Sequence, residues 1–446
     1  MMPYIYPTSA SVPSTEGRWP RICEQREAPP ALHIAMLSLH TSPMAAVGKS
    51  RDAGGMNVYI RELARHLGNI HTSDHTITVD IFIRWTDPSL PAIIQLSPNT
   101  RLIHIAAGPI ASVHKNDLFA FVAPFVEAVA EFAELQPHQY DVVHSHYWLS
   151  GCAGMELSQQ WDVPHVVMFH TLARLKQSAR PAEQETLQRI QQEEAIIATA
   201  DTVIVATQDE YNQISRLYGK NRSAFRIIPG GVDLQRFTDS GRESARSFIQ
   251  QQLQLANQPI VLFVGRLDPL KDPELLLRAR QQMQQSATLI IVGGDANDPE
   301  RARLQQLAET LGIADHVRFV DAVVQEELAI YYRAADILAI ASHYESFGLA
   351  AVEAMACGTP VIAPSVGGLP VIVHDGCNGV LLQQRTSEAF AETIDGLIDQ
   401  PEQWQQLAYH ARHSVIPFAW SSIACRVFGL YTDLTVSIQP ALRREG

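Results

Sequence analysis

His343-Tyr-Glu-Ser-Phe-Gly-Leu-Ala-Ala-Val-Glu-Ala-Met-Ala-Cys-Gly-Thr-Pro360, with Val366-Gly-Gly-Leu-Pro370 close behind it, carries two carboxylates around one helix start. The pattern predicts a helix opening near Phe347 and closing at Gly358 and Pro360. Glu345 then lies in the loop before the helix and Glu353 more than a turn inside it, so both can face one crevice. The helix N-terminus between them presents free backbone N–H groups and a partial positive charge, which suits a phosphate. The competing reading is a capped core helix with a surface glutamate at each end.

Outward from this helix, short apolar runs alternate with helical patterns nearly throughout, the mark of parallel sheets wrapped by helices. Strands are predicted around it at Ile260–Val264, Leu289–Val292, Val317–Val320, Ile337–Ile340, Pro360–Ala363 and Gly379–Leu382. Earlier in the chain they are predicted at Leu32–Leu39, Thr78–Ile83, Leu102–Ala106, Val142–His144, Val166–Phe169 and Thr202–Val205. Met56–Leu67 has Ile60, Leu63, Ala64 and Leu67 at helical spacing, a face for packing on a sheet. Between the two series, Ile227-Ile-Pro-Gly-Gly-Val-Asp233 has the punctuation of a connection.

The expected fold class is therefore α/β, with two Rossmann-like doubly wound parallel-sheet domains facing a central cleft, where ligands of such sheets bind. The expected divisions are a disordered tail over 1–30, one domain over 31–228 and a second over 229–417. Residues 418–446 then supply a helix crossing back to the first domain, and a tail.

A chain of 446 residues suits two such domains, and 46% hydrophobic with 18% charged residues is globular. A formal charge of −13 argues against nucleic acid as a partner, although a few local cations suffice for a small anion. The five cysteines are scattered and contain no C-x-x-C, which implies reduced thiols, a cytoplasmic setting and no zinc knuckle. No apolar stretch reaches the length of a membrane span, and residues 1–30 lack the apolar core of a signal peptide.

Several strand ends carry candidate chemistry. His40-Thr-Ser-Pro43 follows the first strand, and Arg51-Asp-Ala-Gly-Gly-Met-Asn57 opens into the next helix, where Gly54 and Gly55 let the backbone approach a phosphate. Gly48-Lys49-Ser50 is not a P-loop ending, because position 43 is Pro and no helix starts at Ser50. No G-x-G-x-x-G follows any strand, which disfavours a dinucleotide dehydrogenase. In Val264-Gly-Arg-Leu-Asp-Pro-Leu-Lys271, Arg266 offers a forked phosphate contact and Lys271 a point charge. His144-Ser-His-Tyr147 and His170-Thr171 end two successive strands. No Cys, Asp or Glu stands beside them to complete a metal site, so neutral imidazoles recognising sugar hydroxyls are the better reading.

Taken together, His40-Thr-Ser-Pro, Gly54-Gly-Met-Asn-Val-Tyr-Ile60, His144-Ser-His-Tyr-Trp-Leu-Ser-Gly151, Glu345-Ser-Phe-Gly-Leu349 and the Glu-x7-Glu spacing resemble the family 4 retaining glycosyltransferases of the GT-B fold. The resemblance runs over Leu32–Leu434. It implies a nucleotide-sugar donor, most simply a UDP-sugar, with its diphosphate on Gly55, Arg266 and Lys271. It further implies that Glu353 takes the ribose hydroxyls, Glu345 the donor sugar and His170 a donor-sugar hydroxyl, with His40 beside the reacting sugars. His170, Arg266, Lys271 and Glu345 form the implied catalytic set. Asn57, Lys115, Tyr147, Thr171 and Arg189 stand at positions similar to the family's contacts with a small phosphorylated acceptor, such as 1D-myo-inositol 3-phosphate. Without the resemblance, Lys115 and Arg189 read as solvated charges. No metal or other cofactor is implied for catalysis, backbone carbonyls around Tyr332–Ala335 being the nearest place for an incidental ion. A homodimer is compatible with the pattern.

The chain departs from that pattern at Ala322-Val323, where the family tends to have Pro-Arg beside the nucleobase, and in the loop Met44–Asp52 beside the donor sugar. The nearest rival is transfer of glucose to fructose 6-phosphate, as in sucrose-phosphate synthase. A family 4 enzyme acting on lipid or polysaccharide would want a basic amphipathic helix, which is not seen. A non-catalytic nucleotide-sugar-binding protein would tolerate loss of Arg266, Lys271 or either glutamate, and all are retained. A sugar-nucleotide epimerase would need acid and base groups near the sugar that the sequence does not identify.

Overall fold

The computed structural model describes residues 31–44, 54–72, 76–182, 184–219 and 223–442, with Lys115 and 437–442 by backbone alone. The tail 1–30, the Gly48-Lys49-Ser50 stretch and nearly all of the Met44–Asp52 loop lie outside them.

Two parallel sheets form the frame. The first contains β1 (Ala31–Leu37), β2 (Thr76–Arg84), β3 (Ile93–Ser97), β4 (Thr100–Ile105), β5 (Val142–His146), β6 (His165–Met168), β7 (Thr202–Val205) and β8 (Ala224–Ile227). Their order is β3-β4-β2-β1-β5-β6-β7-β8, and only the β3–β4 hairpin is antiparallel. The second contains β9 (Ile260–Val264), β10 (Thr288–Val292), β11 (Val317–Val320), β12 (Ile337–Ala339), β13 (Val361–Pro364) and β14 (Gly379–Leu382), in the order β11-β10-β9-β12-β13-β14. Central strands such as Ile-Val-Leu-Phe-Val of β9 are covered on both faces, and therefore read as unbroken apolar runs.

Strand order reverses at β1, which pairs β2 on one side and β5 on the other, and at β9, which pairs β10 and β12. Loops leaving the carboxyl ends of strands on either side of such a reversal splay apart and leave a crevice. Among the described residues, β3 and β8 are the strands that the sequence pattern did not predict. Both lie at sheet edges and are largely half-buried or exposed, so neither carries the apolar run that marks a central strand.

Helix Gly55–Gly68 buries Tyr59, Ile60, Leu63 and Leu67 and packs both on β2 and on the last helix, Trp420–Leu442. That last helix stands against the first sheet, where the Tyr431 hydroxyl lies 2.6 Å from His144 Nδ1. The two chain crossings between lobes run side by side: Val232 N–H donates to Phe418 O at 2.8 Å and Trp420 N–H to Val232 O at 3.2 Å.

Candidate active site

The loops after β1, β5 and β6 of the first sheet and after β9, β10 and β12 of the second converge on a cleft of about 300 Å³. His40, Gly55, Tyr147, His170 and Thr171 line it from one side, and Arg266, Lys271, Glu345 and Glu353 from the other. Strained backbone gathers around it. Of the five non-glycine residues with positive φ among those described, Tyr147 (73°) and His170 (60°) line the cleft and Asp272 (49°) follows Lys271.

On the second lobe, Lys271 Nζ donates to Glu345 Oε1 at 2.5 Å, and the Ser342 hydroxyl donates to the same oxygen at 2.7 Å. Arg266 pairs with Asp268 at 3.0 Å on its own loop. An ammonium has three protons, so Lys271 can hold Glu345 and still address an anion. The glycines flagged in the sequence back these loops. Gly367 has φ +53°, and a Cβ there would come within 1.9 Å of Glu345 O; Gly368 N–H donates to that carbonyl at 2.7 Å. Gly293 likewise leaves no room for a Cβ against Gly265 O, beside Arg266.

The helix carrying Glu353 spans Leu349–Ala356, shorter at both ends than the sequence predicted, because Gly348 at φ +109° breaks it from Phe347. Glu353 is 6% exposed, and its carboxylate accepts from the Tyr332 hydroxyl at 3.0 Å and from Gln325 Nε2 at 3.1 Å. Burial pushes its pKa up from 4.5 to about 7, against the pull of those two donors and of Arg236 and Arg61.

His170 forms part of a buried imidazole group, its Nε2 standing 3.0 Å from His146 Nδ1, with the His146 and His144 rings 4.3 Å apart. Burial pulls the His170 pKa down to about 3, so the ring is neutral and its contact with His146 Nδ1 pairs one donor with one acceptor. Tyr59 stands edge-on to it at 5.1 Å. Among the described residues, no three His, Cys, Asp or Glu side chains are placed to hold a metal ion. The Tyr332 and Ala335 carbonyls, named above for an incidental ion, accept from the Thr359 hydroxyl at 2.6 Å and from Arg242 Nη2 at 2.5 Å.

Two residues expected at the acceptor, Asn57 and Arg189, bond within the protein. Asn57 is 1% exposed: its Oδ1 accepts from Gly54 N–H at 2.8 Å, and its Nδ2 donates to Thr41 Oγ1 at 2.7 Å and Ser42 O at 2.6 Å. It therefore ties the 41–42 and 54–57 segments together behind the cleft surface. Arg189 is not solvated but buried, donating to Glu193 at 2.7 Å, Glu185 at 2.9 Å and Thr171 O at 2.9 Å, with its guanidinium 5.0 Å over the Tyr147 ring. It underpins Tyr147 and Thr171 from below. Lys115 opens the 3-10 turn Lys115–Phe121, and its side chain lies outside the described residues.

The cleft also contains Lys176, bonded to Glu185 at 2.8 Å, together with Gln325 and Tyr332. Sequence reasoning passed over them. Gln325 opens a helix just past a strand end, a position that could have drawn attention, whereas Lys176 and Tyr332 lie inside helical patterns without any signal.

Residues 53–236 match the family model for Glycosyltransferase Family 4, and residues 245–414 that for Glycosyl transferases group 1. A D-inositol 3-phosphate glycosyltransferase of Xylanimonas cellulosilytica is 39% identical over 412 residues, which cover 90% of this chain and 97% of that protein. The Streptomyces avermitilis protein of the same name is 41% identical over 416 residues, covering 90% and 87%. Among solved structures, sucrose-phosphate synthase from Thermosynechococcus elongatus superposes with a TM-score of 0.83 at 36% identity, covering 91% of this chain and 100% of that one. The Anabaena protein HepE, solved with UDP and glucose, shares the fold at a TM-score of 0.71 and 22% identity, covering 90% and 100%. With the cleft between two Rossmann-like lobes and relatives of this identity matched over nearly their whole length, the chain belongs to the family 4 glycosyltransferases of the GT-B fold and is a hexosyltransferase.

Proposed function

We propose that the enzyme moves N-acetylglucosamine or glucose from a UDP-sugar to a small phosphorylated polyol such as 1D-myo-inositol 3-phosphate, with retention of anomeric configuration, in the cytoplasm. The observation that carries this reading is the convergence of Arg266, Lys271, Glu345 and Glu353 on Gly55 and His170 across one cleft. The relatives named for inositol 3-phosphate support the acceptor, and the unbridged cysteines among the described residues support the compartment.

In this scheme Glu353 accepts from the ribose hydroxyls, Gly55 N–H and the Arg266 and Lys271 cations hold the diphosphate, and Glu345 and His170 bind donor-sugar hydroxyls. The acceptor hydroxyl attacks the anomeric carbon as the bond from that carbon to the phosphate oxygen breaks. Charge that develops on the departing diphosphate is met by the two cations, the main electrostatic aid to the step. The departing oxygen takes the acceptor proton on the same face, so no dedicated protein base is needed. On the acceptor side, Tyr147 and Thr171 form the contact surface over Arg189, and Lys115 is assigned to the acceptor by the family resemblance alone.

A second reading, transfer of glucose to fructose 6-phosphate, draws on the sucrose-phosphate synthase superposition. Incubating the enzyme with UDP-N-acetylglucosamine or UDP-glucose, each with inositol 3-phosphate and with fructose 6-phosphate, and weighing the products separates the two. A disaccharide phosphate only in the fructose arms overturns the inositol reading.

A further inference from the structure

Gln325 joins three parts of the molecule. It opens the helix Gln325–Ala334 past the second lobe's β11 and is 6% exposed. Its Oε1 accepts from Arg61 Nη2 at 2.5 Å, on the first lobe's helix Gly55–Gly68, and from Arg236 Nη1 at 2.8 Å, on the connection between the lobes. Its Nε2 donates to Glu353 Oε1 at 3.1 Å. Two guanidinium groups on one end of the amide fix its direction, because the reversed amide would set N–H against N–H. Glu62, 2% exposed, steadies both arginines at 3.3 and 3.4 Å. Other charged or titratable neighbours of this junction are the Tyr332 hydroxyl, the Cys357 thiol, Glu326 and Asp233, which pair with Arg236 at 3.3 and 3.7 Å, and Arg65, which pairs with Glu62 at 2.8 Å.

Arg61 and Gln325 lie on helices of different lobes, so their bond exists only while the lobes stand together. We propose that Arg61 and Gln325 are positioning residues that couple closure of the two lobes to the orientation of the Glu353 carboxylate, and so to affinity for the donor's ribose. The proposal rests on the reading of Glu353 as a ribose ligand. Parting the lobes removes the Arg61 charge from the junction and one of the two guanidinium bonds that hold the amide, which loosens the donor presented to Glu353. Arg61 and Arg236 also favour the ionised form of Glu353 against burial.

The test compares the wild-type chain with Arg61→Ala, Arg61→Lys and Gln325→Glu, by calorimetric titration with UDP and by steady-state kinetics across pH. Gln325→Glu keeps its partners on the arginines and its size while losing the bond to Glu353, which guards against a mere packing effect. Expected for Arg61→Ala and Gln325→Glu is a roughly tenfold or greater rise in the UDP Kd and donor KM, as loss of one charge-assisted bond in binding predicts, and for Arg61→Ala a kcat at saturating donor within about twofold. The acid limb of donor affinity moves to higher pH, and Arg61→Lys recovers most of the loss. Unchanged UDP affinity and acid limb in both variants, with an active wild type, overturns the coupling alone. A wild type that binds no UDP overturns the reading of the site and the coupling with it.

Discussion

Lys271 and Glu345 face each other at 2.5 Å from two different loops of the second lobe, one following β9 and the other beyond β12. The pair places a cation and the carboxylate proposed to bind the donor sugar side by side in the cleft. A donor bridging them meets both groups without reorganisation, which is where electrostatic catalysis gains most. Lys271→Ala and Glu345→Ala should each lower kcat by roughly 10²- to 10³-fold with an unchanged circular dichroism spectrum. Wild-type turnover in either variant contradicts the assigned roles.

Glu353 costs the fold stability when it is ionised. Its folded pKa of about 7 lies above the ordinary 4.5, so between those values the folded chain holds a proton that the unfolded chain has released. Stability therefore falls as pH rises through this window, by roughly 3 kcal/mol once the group is ionised. Glu353→Gln should come within about 1 kcal/mol of the wild type in urea at pH 5, exceed it at pH 8, and lose UDP affinity chiefly at pH 8. A variant less stable than wild type at pH 8 would show that the ionised carboxylate is a net support of the fold.

Arg189 is the sole guanidinium on Glu193 among the hydrogen bonds of the described residues, and Glu193 is wholly buried. Arg189→Ala should cost about 3–5 kcal/mol, because it strands a carboxylate out of water. Adding Glu193→Gln should recover a large part of that, read as the shift in urea midpoint. In the stable double variant, an unchanged acceptor KM removes Arg189 from acceptor recognition.

Gly367→Ala tests the backing of the Glu345 loop. Its Cβ would stand 1.9 Å from Glu345 O at φ +53°, so the loop must move. Gly241, at φ +80° with nothing within 4 Å, supplies the control for backbone strain alone. Gly241→Ala should cost about 1–2 kcal/mol in thermal unfolding and Gly367→Ala more, whereas only Gly367→Ala should lower kcat, by tenfold or more. Equal kcat in the two variants dissociates the glycine from the site.

The alternation of apolar runs and helical patterns exposed both sheets and their order of appearance, because a strand covered on two faces cannot hide its composition. Edge strands β3 and β8 escaped for the converse reason. The strand-end motifs located the cleft, since residues such as Arg266 and His170 sit where the chain leaves a sheet. What periodicity does not carry is the partner of a side chain. Arg189 looked solvated on a glutamine-rich helix because the sequence does not show that Glu185 and Glu193 close on it under Tyr147 and Thr171. Gln325 stayed silent because its meaning comes from Arg61, which reaches it from the opposite lobe.

The helix Trp420–Leu442 has a further bearing on how the molecule is made. Trp420 stands 5.4 Å from Tyr59, and Tyr431 bonds His144, yet on the ribosome Tyr59 and His144 emerge with the entire second lobe still to be translated. The nascent first lobe thus carries an uncovered greasy seam for most of elongation, a defined window for chaperone engagement. A stop codon placed before Trp420 would leave the damage at the opposite end of the gene product, in the half already synthesised.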